Sequence, residues 1–465
     1  MPEREVGARR TETLKVALEY LAVPALGSAA LAWILWRTIR ADSRSAATLG
    51  ASVAALATWS TLRARRAARP REVTASAERQ EPYENGQELV MSFRRQAFKW
   101  SSAHIPGSEL AKWERRADAA DSKFSLGMGI PEFEAAVQDL TALPDWVDPA
   151  LLDEGCRFFV QTWPFVFYGF SWAVSGGFGS ESASAVLLQS RYWASMGEEG
   201  RRDTWLRLRE TACWLFDMAA HGGESFKPQG VAWKACIHVR YLHCRTRATI
   251  RKAGSWDAAT HGEPINQAQV IGTLLGSSTL LLQGMEELAG RTLPSRKKDA
   301  FCHLWRVIGF LFGIEEELNP NRSFEHSKIV MESLFSFGIK EFPNPELTGV
   351  LAKHMLDSVV QGLREDFHVP ATPGMSAVAA WKFLGPHYAA AIGLPEPRTS
   401  EWLLGMGRMC VFRVFLLLYF LPGAPSVFEP MMRRLFVVMV RSIRKDQPNC
   451  RFGAVTEGCP YSAAR

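Results

Sequence analysis

The chain has 465 residues, of which 47% are apolar and 22% charged, and its formal net charge is +6. This composition excludes an intrinsically disordered chain, a collagen and a small disulfide-stapled domain. A mean hydropathy of -0.07, with charged residues spread along most of the chain, argues against a polytopic transporter.

The first predicted element is an apolar segment, 14–36, which is long enough to cross a bilayer. Trp33 and Arg37 at its C-terminal end are typical of a membrane interface. A second apolar stretch, 46–58, is shorter and predicts either a weak second span or a helix that lies at the interface. Residues 1–62 are therefore predicted to form a membrane anchor of one or two segments. A cleaved or buried segment is the alternative interpretation.

A short basic run follows the anchor and consists of Arg63, Arg65, Arg66, Arg69 and Arg71. Positive charge after an apolar segment is typical of the cytosolic side of a membrane. A single span would therefore leave the rest of the chain in the cytosol, whereas two spans would remove this argument. No nucleic-acid-binding module accompanies the run, and we expect no nucleic-acid partner. Residues 63–95 are predicted to be a basic and polar linker.

The remainder, 96–465, has a 3.6-residue apolar period almost throughout, which predicts a single all-α domain. The predicted helices are 109–121, 131–141, 149–170, 200–220, 229–253, 266–289, 297–317, 326–339, 346–365, 375–384, 399–420 and 428–445. The glycine-rich stretch 175–180 predicts a loop between helices. The apolar stretch 409–421 predicts a buried core helix in preference to a membrane span, because it is short and contains Arg413.

Several chemistries have no support in the sequence. It contains no phosphate-binding glycine loop, no HExxH and no GxSxG, so nucleotide binding, zincin and α/β-hydrolase chemistry are not indicated. The eight Cys residues form no CxxC pair, and they predict small buried side chains in a reducing compartment.

The predicted helix at 230–253 carries a histidine, His243, on an apolar face that also holds Ala232, Cys236, Val239, Thr246 and Ile250. Arg240 and Arg247 lie beside this face. A neutral imidazole in an apolar stripe suits a metal or haem ligand, and a core histidine with one hydrogen bond is the structural alternative. One histidine is too few for a zinc site held by protein alone, but it is enough for a haem.

The predicted helix at 201–220 has an unusual mixed face, made by Thr204, Arg207, Thr211, Trp214 and Met218 and bordered by Glu210. Such a mixture suits the lining of a pocket. An ordinary amphipathic helix with a weak Arg207–Glu210 surface pair is the alternative.

Three stretches taken together resemble the rubber-oxygenase catalytic domain, a family that includes bacterial latex-clearing proteins and the ER-bound oxygenase of mycophenolic acid biosynthesis. They are RLRET with a following Trp at 207–214, VRYLH with following Arg residues at 239–247, and the segment 263–318. The resemblance extends over 95–445 and is firmest at 200–320.

The resemblance implies an all-helical fold around one b-type haem. It implies that His243, in the R-x-x-H motif that begins at Arg240, is the proximal iron ligand, and Arg240 and Arg247 are candidates for contact with the haem. The family's R-x-x-K/x-T motif lies on the distal side and corresponds here to Arg207, Glu210 and Thr211. Glu210 stands where a latex-clearing protein can have a Lys that closes the distal site. It either stays off the iron or acts as a base.

The resemblance further implies a haem-dependent oxygenase that uses O2 to cleave a C=C bond in an isoprenoid or terpenoid side chain. Together with the predicted anchor, it implies a lipophilic substrate and attachment to the endoplasmic reticulum, with a cytosolic catalytic domain. A haem-dependent hydroxylase or peroxidase on the same fold, and a non-catalytic membrane-anchored adaptor, are the alternatives. Trp305 in LWRVIG is expected to be a core residue, and Asn266 and Gln267 are expected to cap a helix.

Overall fold

The regular structure of the described residues is helical, which confirms the predicted all-α fold. The computed structural model describes residues 142–190, 198–228, 230–331, 345–367 and 371–446, and these contain no strand. The predicted anchor 1–62, the linker 63–95 and the predicted helices 109–121 and 131–141 lie outside the described residues, as does most of 326–339.

Thirteen α-helices have both ends within the described residues. They are α1 (Pro149–Gly177), α2 (Glu181–Gln189), α3 (Glu198–Ala220), α4 (Val231–Lys252), α5 (Ala258–His261), α6 (Gln267–Ser277), α7 (Thr279–Ala289), α8 (Ser295–Phe312), α9 (Pro345–Phe367), α10 (Pro373–Phe383), α11 (Pro386–Ala391), α12 (Thr399–Tyr419) and α13 (Ala424–Asp446). Single 3-10 turns occur at Gly223–Phe226 and Pro320–Arg322.

The central element is α1, which contacts α3, α6, α7, α8, α9, α10 and α13. It begins at Pro149, and the side chain of Asp148 caps it by accepting hydrogen bonds from the amides of Ala150 and Leu151. The closest approach to α8 is at Gly155, where a Cβ would lie 2.3 Å from the carbonyl oxygen of Ala300. Only glycine therefore allows these two helices to pack with their backbones in contact.

Helices α3 and α4 form an antiparallel hairpin. The indole Nε1 of Trp214 donates to the carbonyl oxygen of Ala235 at 3.1 Å, and the thiol of Cys236 donates to the sulfur of Met218 at 3.4 Å. These contacts fix how the two helices are aligned along their axes. Trp214 and Met218 of the mixed face predicted on α3 are therefore turned toward α4 and buried. Thr204 of the same predicted face is instead hydrogen-bonded to His354 of α9.

Helix α9 covers the opposite side of α3. Its Asp366 accepts hydrogen bonds from Nε1 of Trp205 at 2.6 Å, from Arg209 at 2.8 Å and from Arg202 at 2.9 Å. The side chain of Arg209 is only 3% exposed, so its charge is neutralised inside the protein by this carboxylate. This buried arginine could not be predicted from the sequence, because Asp366 lies 157 residues further along the chain.

Several helix ends differ from the prediction. The predicted helix 266–289 is divided at Ser278, whose backbone (φ -116°, ψ -81°) leaves the helical region and whose hydroxyl donates to the carbonyl of Leu274. The predicted helix 297–317 ends at Phe312, because Gly313 adopts a left-handed conformation with φ +90°. The short helices α2 and α11 were not predicted, whereas the loop predicted at 175–180 forms after Gly177.

Helix α12 is long and apolar enough to cross a membrane by length and composition, with a mean hydropathy of 1.5 over its most apolar 18 residues. Only 22% of that window is buried, so the buried core helix predicted around 409–421 is buried on one face only. Cys156, Cys236, Cys302 and Cys410 are buried free thiols, as the cysteine pattern predicts.

Candidate active site

The site is centred on His243, in the second half of α4. Its side chain is surrounded by protein atoms, although the residue as a whole stays partly accessible. Burial, with a smaller effect from the charge of Arg247, lowers the pKa of His243 to about 4. The imidazole is therefore neutral at pH 7 and has a nitrogen lone pair free for a metal.

Two aromatic rings hold His243 in place. The ring of Phe312, at the end of α8, meets the imidazole edge-on, with centroids 5.9 Å apart and an interplanar angle of 77°. Trp214 stacks on the other side of Phe312 at 5.7 Å, and its Nε1 is tied to Ala235. Such aromatic pairs contribute about 0.5–1.5 kcal/mol each beyond the area that they bury. Three helices thus fix the orientation of one imidazole, although the sequence had not singled out Phe312.

The guanidinium of Arg247 binds the loop that precedes α6. It donates to the carbonyl oxygens of Pro264 at 2.8 Å and Ile265 at 2.7 Å. Ile265 has φ +53°, a left-handed conformation that is unfavourable for a β-branched residue, so this hydrogen bond helps to hold a strained backbone. Next to it, the side chain of Asn266 accepts from the amide of Gln269 and caps α6, as predicted.

The second predicted arginine is Arg240 of α4. Its side chain is buried against the C-terminal end of α8. Its guanidinium lies against Gly313, where a Cβ would come within 3.1 Å of Cζ, so a side chain at residue 313 would displace the arginine. Gln267, which was expected only to cap α6, donates to the carbonyl of Gly313 at 2.8 Å and accepts from the amide of Glu315. The start of α6, the end of α8 and Arg240 of α4 therefore meet at the turn that begins with Gly313.

A carboxylate that no sequence pattern singled out, that of Glu315, lies in the same turn. Burial, reinforced by the charge of Glu317, raises the pKa of Glu315 to about 7. Its amide is held by Gln267. A carboxyl group with a pKa near 7 is a candidate acid or base. In the sequence Glu315 looks like the two glutamates that follow it, and only its surroundings in the fold set it apart.

The three predicted distal residues lie on α3, and the alignment of α3 with α4 brings Arg207 level with His243, while Glu210 and Thr211 lie about one turn further along α3. Trp214 is opposite Ala235, and the two helices run antiparallel with the same rise per residue. Arg207, seven residues before Trp214 on the same face, is therefore level with residue 242. Thr211 lies between them, and its hydroxyl donates to the carbonyl of Arg207 at 2.8 Å, which leaves its oxygen free to accept.

The predicted core role of Trp305 is confirmed, because the residue is 3% exposed and packs on the ring of Phe301 at 6.3 Å. Its neighbour Arg306 pairs with Glu316 and lies 4.0 Å from the centre of the Trp146 ring. Both residues of the LWRVIG stretch therefore stabilise the fold around α8.

These features define a helical domain in which a neutral histidine, His243, is held against an aromatic ring at the meeting point of three helices. Residues 159–416, more than half of the chain, match the family described as "ER-bound oxygenase mpaB/B'/Rubber oxygenase, catalytic domain". The chain belongs to this family, and it is accordingly an oxidoreductase of the oxygenase type.

A solved structure of a latex clearing protein in the closed state is similar to this chain, with a TM-score of 0.48 and 19% identity over 77% of this chain and 89% of the other. No curated protein sequence matches the chain.

Proposed function

We propose that this chain is a haem-dependent oxygenase that uses O2 to cleave a C=C bond in the isoprenoid side chain of a lipophilic terpenoid. The proposal rests above all on His243, a neutral histidine held by aromatic rings in a chain of the rubber-oxygenase family. In this proposal His243 is the proximal ligand of a b-type haem. Arg207, Glu210 and Thr211 act on the distal side.

The residues around His243 fit a haem. A histidine that would hold haem iron must be neutral and fixed in orientation, and the low pKa of His243 and its contact with Phe312 meet both needs. A macrocycle also needs apolar surfaces, which Phe312 and Trp214 offer. Arg240 and Arg247 supply positive charge within one turn of His243, suited to the carboxylates of the cofactor.

A bound haem would supply the redox chemistry that activates O2. The protein's part is to bind, orient and exclude water. Phe312 and Trp214 keep the imidazole in one orientation and keep bulk water from it. Arg207 offers hydrogen-bond donors at the level of His243, and Thr211 offers an acceptor about one turn away. Glu210 borders this face and, in the proposal, takes a proton from the allylic carbon of the substrate.

The proposed location is a membrane of the endoplasmic reticulum, with the catalytic domain in the cytosol. An isoprenoid side chain partitions into lipid, so an anchored enzyme meets its substrate at high local concentration. The predicted anchor at 14–36 and the basic run that begins at Arg63 support this location.

Product analysis tests the function directly. The full chain, reconstituted with haem in detergent and supplied with ¹⁸O2, is offered a terpenoid with a prenylated side chain. We expect two carbonyl fragments, because cleavage of C=C places one oxygen on each carbon. A single product heavier by one oxygen would instead identify a hydroxylase, and no product with any prenylated substrate would favour the adaptor.

The role of Glu210 is tested by Glu210→Gln, which keeps the shape of the side chain and removes the base. We expect kcat to fall by roughly 100-fold, as is usual for loss of a general base. The Soret band should not change. Asp203→Asn is the matched control, because Asp203 is an exposed carboxylate on the same helix. Equal kcat values for Glu210→Gln and the control would remove Glu210 from the mechanism.

A further inference from the structure

Exposed apolar side chains are concentrated on one part of the fold. Six large apolar residues are well exposed in the described part of the chain, and five of them belong to the hairpin 399–446 formed by α12 and α13. These five are Leu403, Leu404, Leu421, Val427 and Leu435. Leu404 is 59% exposed and Val427 68% exposed. An exposed apolar concentration of this kind marks an interaction surface.

The composition of α12 supports the same conclusion. Its most apolar 18 residues have a mean hydropathy of 1.5, but only 22% of them are buried. A core helix of equal hydropathy would be largely covered by the rest of the protein. The buried residues of α12 are Gly405, Met409, Cys410, Leu416 and Tyr419, which share its inner face. The outer face is therefore apolar without being packed against any described element.

The hairpin is nevertheless firmly attached by its inner side. The hydroxyl of Tyr419 donates to Gln161 of α1 at 2.9 Å, and the amide of Gln161 donates to Glu429 of α13 at 3.2 Å. Arg433 of α13 in turn donates to the carbonyl of Ala220, at the end of α3. Because this network fixes the inner side, the apolar outer face is a constant feature of the folded domain.

The charge of the hairpin indicates what covers this face. Residues 399–446 contain seven Arg or Lys and three Asp or Glu. This positive excess is complementary to the anionic surface of a membrane. A second copy of the chain would carry the same positive excess, which opposes its approach to this hairpin. The predicted anchor 14–36 would also keep the domain beside a bilayer.

We propose that the outer face of the α12–α13 hairpin lies in the boundary between headgroups and acyl chains of an anionic bilayer. It is a second membrane contact, separate from the N-terminal anchor. Leu403, Leu404 and Val427 enter the apolar layer, while the exposed Arg434 of α13 binds a lipid phosphate. This contact does not depend on the haem chemistry proposed above.

Lipid photolabelling tests the contact in the full chain. The protein is reconstituted into vesicles of phosphatidylcholine and phosphatidylserine that contain a phospholipid with a diazirine in its acyl chain. After irradiation, labelled peptides are identified by mass spectrometry. We expect labels on peptides from 399–446 in addition to those from 14–36. The peptide that contains Val350, which is 50% exposed on α9, is the internal control and should remain unlabelled.

The double variant Leu404→Asp, Val427→Asp should lower the labelling of the hairpin by about tenfold, because two apolar side chains no longer enter the acyl layer. Val350→Asp should leave it unchanged. Wild-type labelling of the hairpin no stronger than that of the Val350 peptide would overturn the proposal, whether or not the variants fold. So would protein cross-links from the hairpin to a second copy or to 14–36 in place of lipid adducts.

Discussion

Replacement of His243 by Ala is expected to abolish haem binding. The variant loses the neutral imidazole that is proposed as the ligand, and the rings of Phe312 and Trp214 cannot replace it. Loss of even a residue that supports a metal ligand commonly weakens binding by 10–100-fold, so loss of the ligand itself should exceed about 100-fold. The measurement is a haem titration followed at the Soret band.

The matched control is His303→Gln. His303 is also buried, but its Nε2 accepts a hydrogen bond from the amide of Asp148 at 3.0 Å, a role that the oxygen of Gln can fill. Haem binding by this variant should equal that of the wild type. If His243→Ala retained the wild-type Soret band, His243 would not be the ligand.

The pH dependence of binding follows from the same residue. Protons compete with a metal for the imidazole only when the pH approaches the pKa of the folded protein, which is about 4 for His243. The contribution of His243 to haem affinity should therefore be constant from pH 8 to about pH 5.

The second large effect is expected for Asp366→Ala, which should lower the free energy of unfolding by about 3 kcal/mol, the lower end of the range for a broken buried ion pair. The substitution leaves the guanidinium of Arg209 buried without its carboxylate and removes the acceptor of Trp205. Urea unfolding of the haem-free protein in detergent, followed by circular dichroism, measures the change.

The neighbouring carboxylate provides the control. Glu365 is 47% exposed and pairs with Arg202, which is 34% exposed. Glu365→Ala should therefore lower the free energy of unfolding by less than about 1 kcal/mol. Similar losses for the two variants would show that the buried position of Asp366 has no special importance.

Acid should weaken the contribution of Asp366. Burial alone would raise the pKa of this carboxyl group, but the hydrogen bonds from Trp205 and Arg202 and the charge of Arg209 lower it below its usual 3.8. A lowered pKa in the folded state means that the stabilisation is present above pH 3.8 and is lost as the pH falls below that value. The difference in the free energy of unfolding between Asp366→Ala and wild type should therefore become smaller below pH 3.8.

The sequence predicted the long helices well and their interruptions poorly. The predicted helix 229–253 corresponds to Val231–Lys252, because its apolar period is unbroken and Gly230 precedes it. The break at Ser278 was missed because serine is compatible with a helix. It leaves the helix only where its hydroxyl can also bond to Asn321, 43 residues away. Local patterns contain no information on such a partner.

In the candidate site, too, local sequence patterns could be predicted and contacts between distant residues could not. His243 and the 207–211 motif were identified from a helical face and a family resemblance, both of which are properties of the sequence. Phe312 and the raised pKa of Glu315 were not, because each depends on how the end of α8 meets α4 and α6. Arg240 and Arg247 lie on α4, as the helical pattern predicts. The carbonyl groups that Arg247 binds could be identified only from the fold.

The antiparallel alignment of α3 and α4 limits which insertions this site can tolerate. One residue added between Arg207 and Trp214 would turn Arg207 by about 100° around the helix axis, away from α4. One residue added between Ala235 and His243 would do the same to the histidine. The connection between the two helices is also tightly packed, because Phe226 is fully buried and a Cβ at Gly230 would lie 2.2 Å from the carbonyl oxygen of Ser225. Both motif spacings should therefore stay constant among natural variants.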